Sequence, residues 1–425
     1  MITGVEIRNY RGLRYIPLKL EAFQVLVGPN ASGKTTLLDT INFIRDLLVG
    51  GLDAAVYGDP RFTIPPRAAD PRDLTWMRQG GDLEIALTLD LPDHVVKVLG
   101  GRHDKARYEV AIATDGPLSF RAENFFLVAA GNGQDRRPEQ GDLFPNPPES
   151  PGPIVTHPGR QTPAGRRKVV SKTGDQGNDY FKSEVSKWNN MFRLGPGRSA
   201  LANLPEDEDK FPAAVWTKRF LMDGVHRLSL NGEAMRRPAP AGSPRGFQPD
   251  GTNLPWVVHS LEEEAPDRFA WWVEHLRSAL PDLTGISTAE READRARYLI
   301  VTYKSGLEAP SWLLSDGTLR MLALTLLPYL PDPPPLTLIE EPENGIHPQA
   351  VETVVQALQS VVDGQLLCAT HSPLLLAQIR RDEVLCFART EEGAVDIRNG
   401  RDHPRLHQWR SALHLGDLLA AGVLG

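Results

Sequence analysis

Two motifs roughly 300 residues apart constrain this chain more than any other feature of it. GPNASGKTT, Gly28–Thr36, lies near the start, and LTLIEEPENGIHP, Leu336–Pro348, lies near the end. The first follows an apolar run, Phe23–Val27, and precedes helically spaced Leu38, Ile41, Ile44 and Leu48. Strand, glycine loop, helix is the context in which backbone N–H groups and a helix N-terminus cradle phosphate. Gly28, Asn30, Ala31, Ser32, Gly33, Lys34, Thr35 and Thr36 are therefore the candidate nucleotide-binding residues. Lys34 is expected to reach the β- and γ-phosphates, and the Thr35 hydroxyl to hold Mg2+.

The second motif ends a strand-like run, Leu336–Ile339, with Glu340 and Glu341. A carboxylate at the C-terminal tip of a strand meets the crevice where open α/β sheets bind ligands. Glu340 is expected to support the Mg2+ shell through water, and Glu341 to polarise an attacking water. The bland alternative is a solvated turn that places acidic charge before a helix. A buried strand ahead of it, in a chain that already carries a phosphate loop, favours the site.

The rest of the chain reads as α/β. Alternating residues from Ile2 to Leu20 predict strands, and alternation near 81–91 and 107–114 predicts antiparallel strands beside the nucleotide. Strands at 298–303, 336–340, 365–370 and 383–388 interleave with helices at 264–280, 319–330 and 348–360. That order implies a mostly parallel sheet covered on both faces. Between the halves, Pro138–Pro163 holds eight prolines and is expected to be an exposed, partly disordered loop. The division expected is 1–125 for the first half of the core, 126–245 for a projecting insertion, and 246–425 for the second half.

Bulk composition excludes little. Lys+Arg 47 against Asp+Glu 54 gives a net charge of −7, so the whole chain is no generic polyanion binder. Arg160, Arg166, Arg167, Lys168 and Lys172, followed by Lys182 and Lys187, could still form a local DNA-binding surface, with a solvated loop as the plainer reading. Cys368 and Cys386 lie in apolar runs and read as small core residues. No signal peptide is visible and no apolar run approaches the ~20 residues of a membrane span, so a cytoplasmic protein is expected.

Two further pieces complete a pattern. Ser315-Asp-Gly-Thr-Leu-Arg320 precedes a helix, and His371 follows a strand in Ala-Thr-His-Ser-Pro. Alone, the first is a helix cap and the second a structural histidine. In this order, and with Asn9-Tyr10-Arg11 ahead of the phosphate loop, the chain resembles ABC-type P-loop ATPases of the SMC/RecF/OLD-like branch. The resemblance implies an ABC-type ATPase core, a mostly parallel sheet plus an antiparallel β-subdomain, interrupted by a long insertion. It covers about 1–50 and 250–425 well, 80–115 loosely and 126–245 hardly at all.

In that family two ATP molecules are sandwiched between two protomers, which implies ATP and Mg2+ as cofactors and a homodimer or higher homo-oligomer. By the same resemblance Ser315, Gly317 and Arg320 act in trans on the partner's nucleotide, and His371 senses its γ-phosphate. Asn30 would lie near the water, Gln79 would link the metal to the insertion, and Arg11 would reach the nucleotide pocket. Ala31 stands where relatives carry Gly, a modest change if φ is negative there, and Glu340 replaces the commoner Asp. Relatives serve DNA repair and antiviral defence. Too little chain follows His371 for the Toprim nuclease domain that some carry, so a separate effector protein, such as a nuclease, is expected. The alternatives are a transporter ATPase subunit, against which the insertion and EEPENGIHP argue, and a DNA-clamping ATPase without an effector.

Overall fold

The computed structural model describes residues 1–131, 144–150, 152–173, 179–407 and 415–420. Among them the strands form three sheets. The central one has the order β10 (Val225–Leu228), β14 (Leu336–Glu340), β15 (Gln365–Ala369), β3 (Phe23–Val27), β16 (Val384–Arg389), β17 (Val395–Asn399). All neighbours are parallel except the β16–β17 hairpin.

Side chains alternate across this sheet, which explains its unbroken apolar runs. Leu26, Leu338, Leu367 and Leu385 face one core, shared with helices Lys34–Gly50 and Pro212–Asp223. Val25, Ile339, Cys368 and Cys386 face a second core, shared with helices Asp316–Leu326 and Pro348–Gln359. Each such side chain, fully removed from water, contributes about 1.5–3 kcal/mol. Both cysteines are buried and free, as their apolar setting predicts.

The second sheet is antiparallel, in the order β2 (Leu13–Lys19), β1 (Ile2–Tyr10), β4 (Asp82–Asp90), β5 (His103–Ala113), β6 (Ser119–Ala129), β7 (Arg166–Lys172), β8 (Asp179–Lys182), β9 (Asn189–Phe192). The buried Gln365 side chain stitches it to the central sheet: its Oε1 accepts from the Ile2 N–H at 2.9 Å, and its Nε2 donates to the Ile2 carbonyl at 2.7 Å. The third sheet, β11 (Leu283–Glu290), β12 (Arg297–Tyr303) and β13 (Glu308–Pro310), packs under helices Leu254–Glu264 and Pro266–Arg277.

The described residues of 126–245 join the core. Strands β7–β9 lengthen the antiparallel sheet, and helix Pro212–Asp223 packs beside helix Lys34–Gly50. Strand β10 pairs with β14, Val225 opposite Leu336. Ahead of helix Pro212–Asp223, strands β8 and β9 are short and are held together by apolar Phe181 and Phe192. The proline-rich segment is also more ordered than composition suggests, although 138–143 and 151 lie outside the described residues. The Ile154 N–H donates to Glu84 at 2.6 Å and the Thr156 N–H to Glu109 at 2.8 Å. Buried carboxylates on the sheet thus satisfy a backbone that proline keeps out of regular structure.

Candidate nucleotide site

The phosphate loop runs from the end of β3 into helix Lys34–Gly50, and its glycines are required by space and backbone angle. A Cβ on Gly28 would lie 2.3 Å from the Phe387 carbonyl oxygen of β16. Gly33 holds φ 101° at the helix N-cap, a region open to glycine. Ala31 has φ 60°, so the expectation of a negative φ at that alanine is overturned. An L-residue there is strained by about 1–2 kcal/mol. The Arg389 side chain donates to the Ala31 carbonyl at 3.2 Å and so braces the loop from β16. Asn30 is exposed at the loop tip, Ser32 is buried, and Thr36 accepts from the Thr40 hydroxyl within the helix.

The Lys34 ammonium is buried at the centre of the loop and donates to the carbonyls of Gly28 and Pro29, each at 2.8 Å. Burial brings its pKa down to about 8, while the Glu341 and Glu340 carboxylates pull it back up. Thr35, the next residue, donates its hydroxyl to Glu340 Oε2 at 2.6 Å, across 305 residues of sequence. The phosphate loop and the double-carboxylate motif, distant in sequence, therefore meet.

Glu340 ends β14 and Glu341 begins the following loop with φ 48°, held by its N–H to the Ala369 carbonyl and by its carbonyl to the Asn344 N–H. Strained backbone pinned on both sides recurs at active sites, at a cost of about 1–3 kcal/mol. His371 leaves the tip of the adjacent strand β15. Burial, then the nearby Lys34 charge, hold its imidazole below the ordinary value, with Glu341 opposing. It is neutral near pH 7, fit to donate from one ring nitrogen and accept at the other.

Three residues of this site escaped the sequence. Arg227 on β10 donates to Glu340 Oε1 at 2.6 Å. Glu343 accepts from the Thr370 hydroxyl at 2.6 Å, and burial pushes its carboxyl up. Arg389 is the third. Only the acidic run Glu340–Glu343 held any signal for one of them.

Other expected members stand apart. The Asn9 side chain accepts from the Trp76 N–H and donates to the Gly80 carbonyl, which pins the loop that carries Gln79. Gln79 itself is exposed and, among the described residues, hydrogen-bonds neither Thr35 nor Glu340. Arg11 pairs with Asp39 at 3.2 Å rather than with the phosphate loop; Tyr10 and Arg67 converge on the same carboxylate. Ser315 is exposed and caps helix Asp316–Leu326 through the Thr318 N–H at 3.1 Å. A Cβ on Gly317 would lie 2.1 Å from the Gly345 carbonyl, so this glycine lets the helix touch the loop after Glu341. Arg320 donates to the Leu230 carbonyl. None of these three contacts the phosphate loop of its own chain among the described hydrogen bonds.

Part of the basic run is committed to the fold. Arg166 pairs with Glu109, Arg167 donates to the carbonyls of Ser183 and Glu184, and buried Lys172 pairs with Asp179. Arg160, Lys182 and Lys187 remain exposed.

Family models match the chain in two places: the "AAA ATPase domain" over residues 1–59 and the "AAA domain, putative AbiEii toxin, Type IV TA system" over residues 166–377. The second reaches well into 126–245. By both matches the chain is similar to AAA-type P-loop ATPases. Among solved structures this ATPase fold is similar to a SmcHead bound to the C-winged helix domain of ScpA, at TM-score 0.51 and 14% identity, covering 93% of this chain and 97% of that one. An Smc head derived from Pyrococcus furiosus, bound to the C-terminal domain of ScpA, gives 0.49 and 12%, covering 93% and 95%. The SMC head domain from Thermotoga maritima gives 0.44 and 10%, covering 94% and 98%. No curated protein matches the sequence. Among the described residues no helix is long and apolar enough to cross a membrane.

Proposed function

We propose that this chain binds and hydrolyses ATP with Mg2+ in a site that a second copy completes, and that the cycle controls a partner. The observation that carries the reading is the Thr35–Glu340 hydrogen bond at 2.6 Å beside the Lys34 ammonium. A hydroxyl and a carboxylate at that separation are hard oxygen donors that suit Mg2+. Among the described residues no group of three or more His, Cys, Asp or Glu forms a metal cage, in keeping with an ion that shares its shell with nucleotide and water. Bound there, Mg2+ would neutralise charge on the β- and γ-phosphate oxygens.

The chain's own residues supply the rest. Loop N–H groups and Lys34 hold the phosphates. Glu341, fixed in its strained turn, accepts a proton from water as the water oxygen bonds to the γ-phosphorus and the bond to ADP breaks. Neutral His371 orients the γ-phosphate from the adjacent strand. Ser315, exposed at the helix N-terminus that it caps, supports a role on the partner copy's nucleotide.

The partner is a separate effector protein, and the setting is defence against phage or DNA repair. A family description that mentions a toxin system, and an Smc head bound to ScpA, support a protein partner. The consumption of Arg166, Arg167 and Lys172 within the fold argues against the basic run as a DNA contact. Glu341→Gln should retain ATP and run as a dimer in size-exclusion chromatography with light scattering. A variant that hydrolyses ATP like the parent removes Glu341 from its role, and tight ATP binding by Lys34→Ala sinks the site. Co-purification of Glu341→Gln from its host tests the partner: a stoichiometric second protein supports the effector reading, and nucleic acid alone refutes it.

A further inference from the structure

Arg227 lies outside both motifs, yet it is built into the site by the sheet rather than by a loop. Strand β10 runs parallel to β14 with Arg227 opposite Leu338. Paired residues on parallel strands share a face, and the period of two returns Glu340 to the face of Leu338. The guanidinium Nη2 donates to Glu340 Oε1 at 2.6 Å, which leaves Oε2 to accept from the Thr35 hydroxyl at 2.6 Å. The Arg227 and Glu340 side chains are 35% and 30% exposed, so the pair is partly shielded from solvent.

We propose that Arg227 is the positioning residue of the metal site: it fixes the Glu340 carboxylate so that one oxygen faces Thr35, and so sets how tightly the site holds a divalent cation. This role rests on the nucleotide site proposed above. Glutamate has one more rotatable bond than the aspartate it replaces, and without a second anchor its carboxylate would sweep a wide arc. A charge-assisted bond from a planar guanidinium removes that freedom. Loss of the hydrogen-bond partner of a ligating carboxylate lowers metal affinity about 10–100-fold. The opposing effect, repulsion between guanidinium and metal, is weakened by solvent at this exposure.

The test uses the full chain carrying Glu341→Gln, a non-hydrolysable ATP analogue, and Mn2+ as the probe, read by electron paramagnetic resonance. Arg227→Met should raise the Mn2+ concentration for half-saturation about tenfold or more, leave nucleotide binding in EDTA unchanged, and melt as the parent does. Arg227→Lys, which keeps a charge and a donor, should recover part of the loss. A Met variant with the parent's midpoint, or a lower one, overturns the role. So does a raised midpoint that comes with lost nucleotide binding in EDTA, because that marks a structural residue. A parent protein that retains no Mn2+ with nucleotide overturns the nucleotide site itself.

Discussion

The lysine at the centre of the phosphate loop should make ATP binding fade as pH rises above about 8. Burial places the Lys34 pKa at about 8 in the unliganded protein, against an ordinary 10.5. Only the ammonium form attracts the phosphates, so the apparent dissociation constant scales as one plus the ratio of neutral to charged lysine. From about pH 7.5 to about pH 9.5 that factor grows about 25-fold, which is about 1.9 kcal/mol of binding free energy. The sign for folding is opposite. The folded state holds fewer protons than the unfolded chain between about 8 and 10.5, so this group makes stability rise with pH across that window. Isothermal titration of ATP at fixed excess Mg2+ over the same pH series checks the first effect. An affinity that stays flat to pH 9.5, or improves, refutes the argument that burial dominates this lysine's charge.

Three substitutions test the geometry around it. Gly317→Ala places a methyl group 2.1 Å from the Gly345 carbonyl and should cost about 1–3 kcal/mol in denaturant unfolding; an unchanged midpoint would mean that the backbones do not touch. Ala31→Gly relieves a left-handed alanine of about 1–2 kcal/mol but adds about 0.5–1 kcal/mol of chain entropy. A net gain of about 0.5 kcal/mol is expected by the same method, and a clear loss would contradict the positive φ. Leu338→Ala opens the core beneath Glu340 and should lower stability by about 2–5 kcal/mol. Retention of parental stability would move that side chain out of the core.

The sequence revealed those parts of the molecule in which one stretch of chain determines its own surroundings. Strands β3, β14 and β15 are buried on both faces, so their apolar runs were readable at 23–27, 336–340 and 365–370 almost to the residue. Glu340 was readable because a carboxylate seldom ends such a run without a reason. Strand β10 was not, because His226 and Arg227 interrupt its apolar pattern and its place depends on pairing with β14, more than a hundred residues on. Arg389 and Arg227 reach the site across 358 and 113 residues, and no local pattern records such contacts. The pairings of the basic run were unreadable for the same reason: Glu109 and Asp179, which take up two of its charges, are brought there by strand register alone.

The close approach of Gly317 to Gly345 has a consequence for the proposed dimer. Two backbones that meet without side chains between them have no rotamers to absorb a displacement. A displacement of the loop that leaves Glu341 would therefore pass directly to the helix capped by Ser315, as along a lever. In a pair of such chains the lever's ends would belong to different nucleotides: Glu341 to the protomer's own, Ser315 to its partner's. Turnover at one site would then be felt mechanically at the other, and the two ATP molecules would be consumed as a linked pair rather than as independent events.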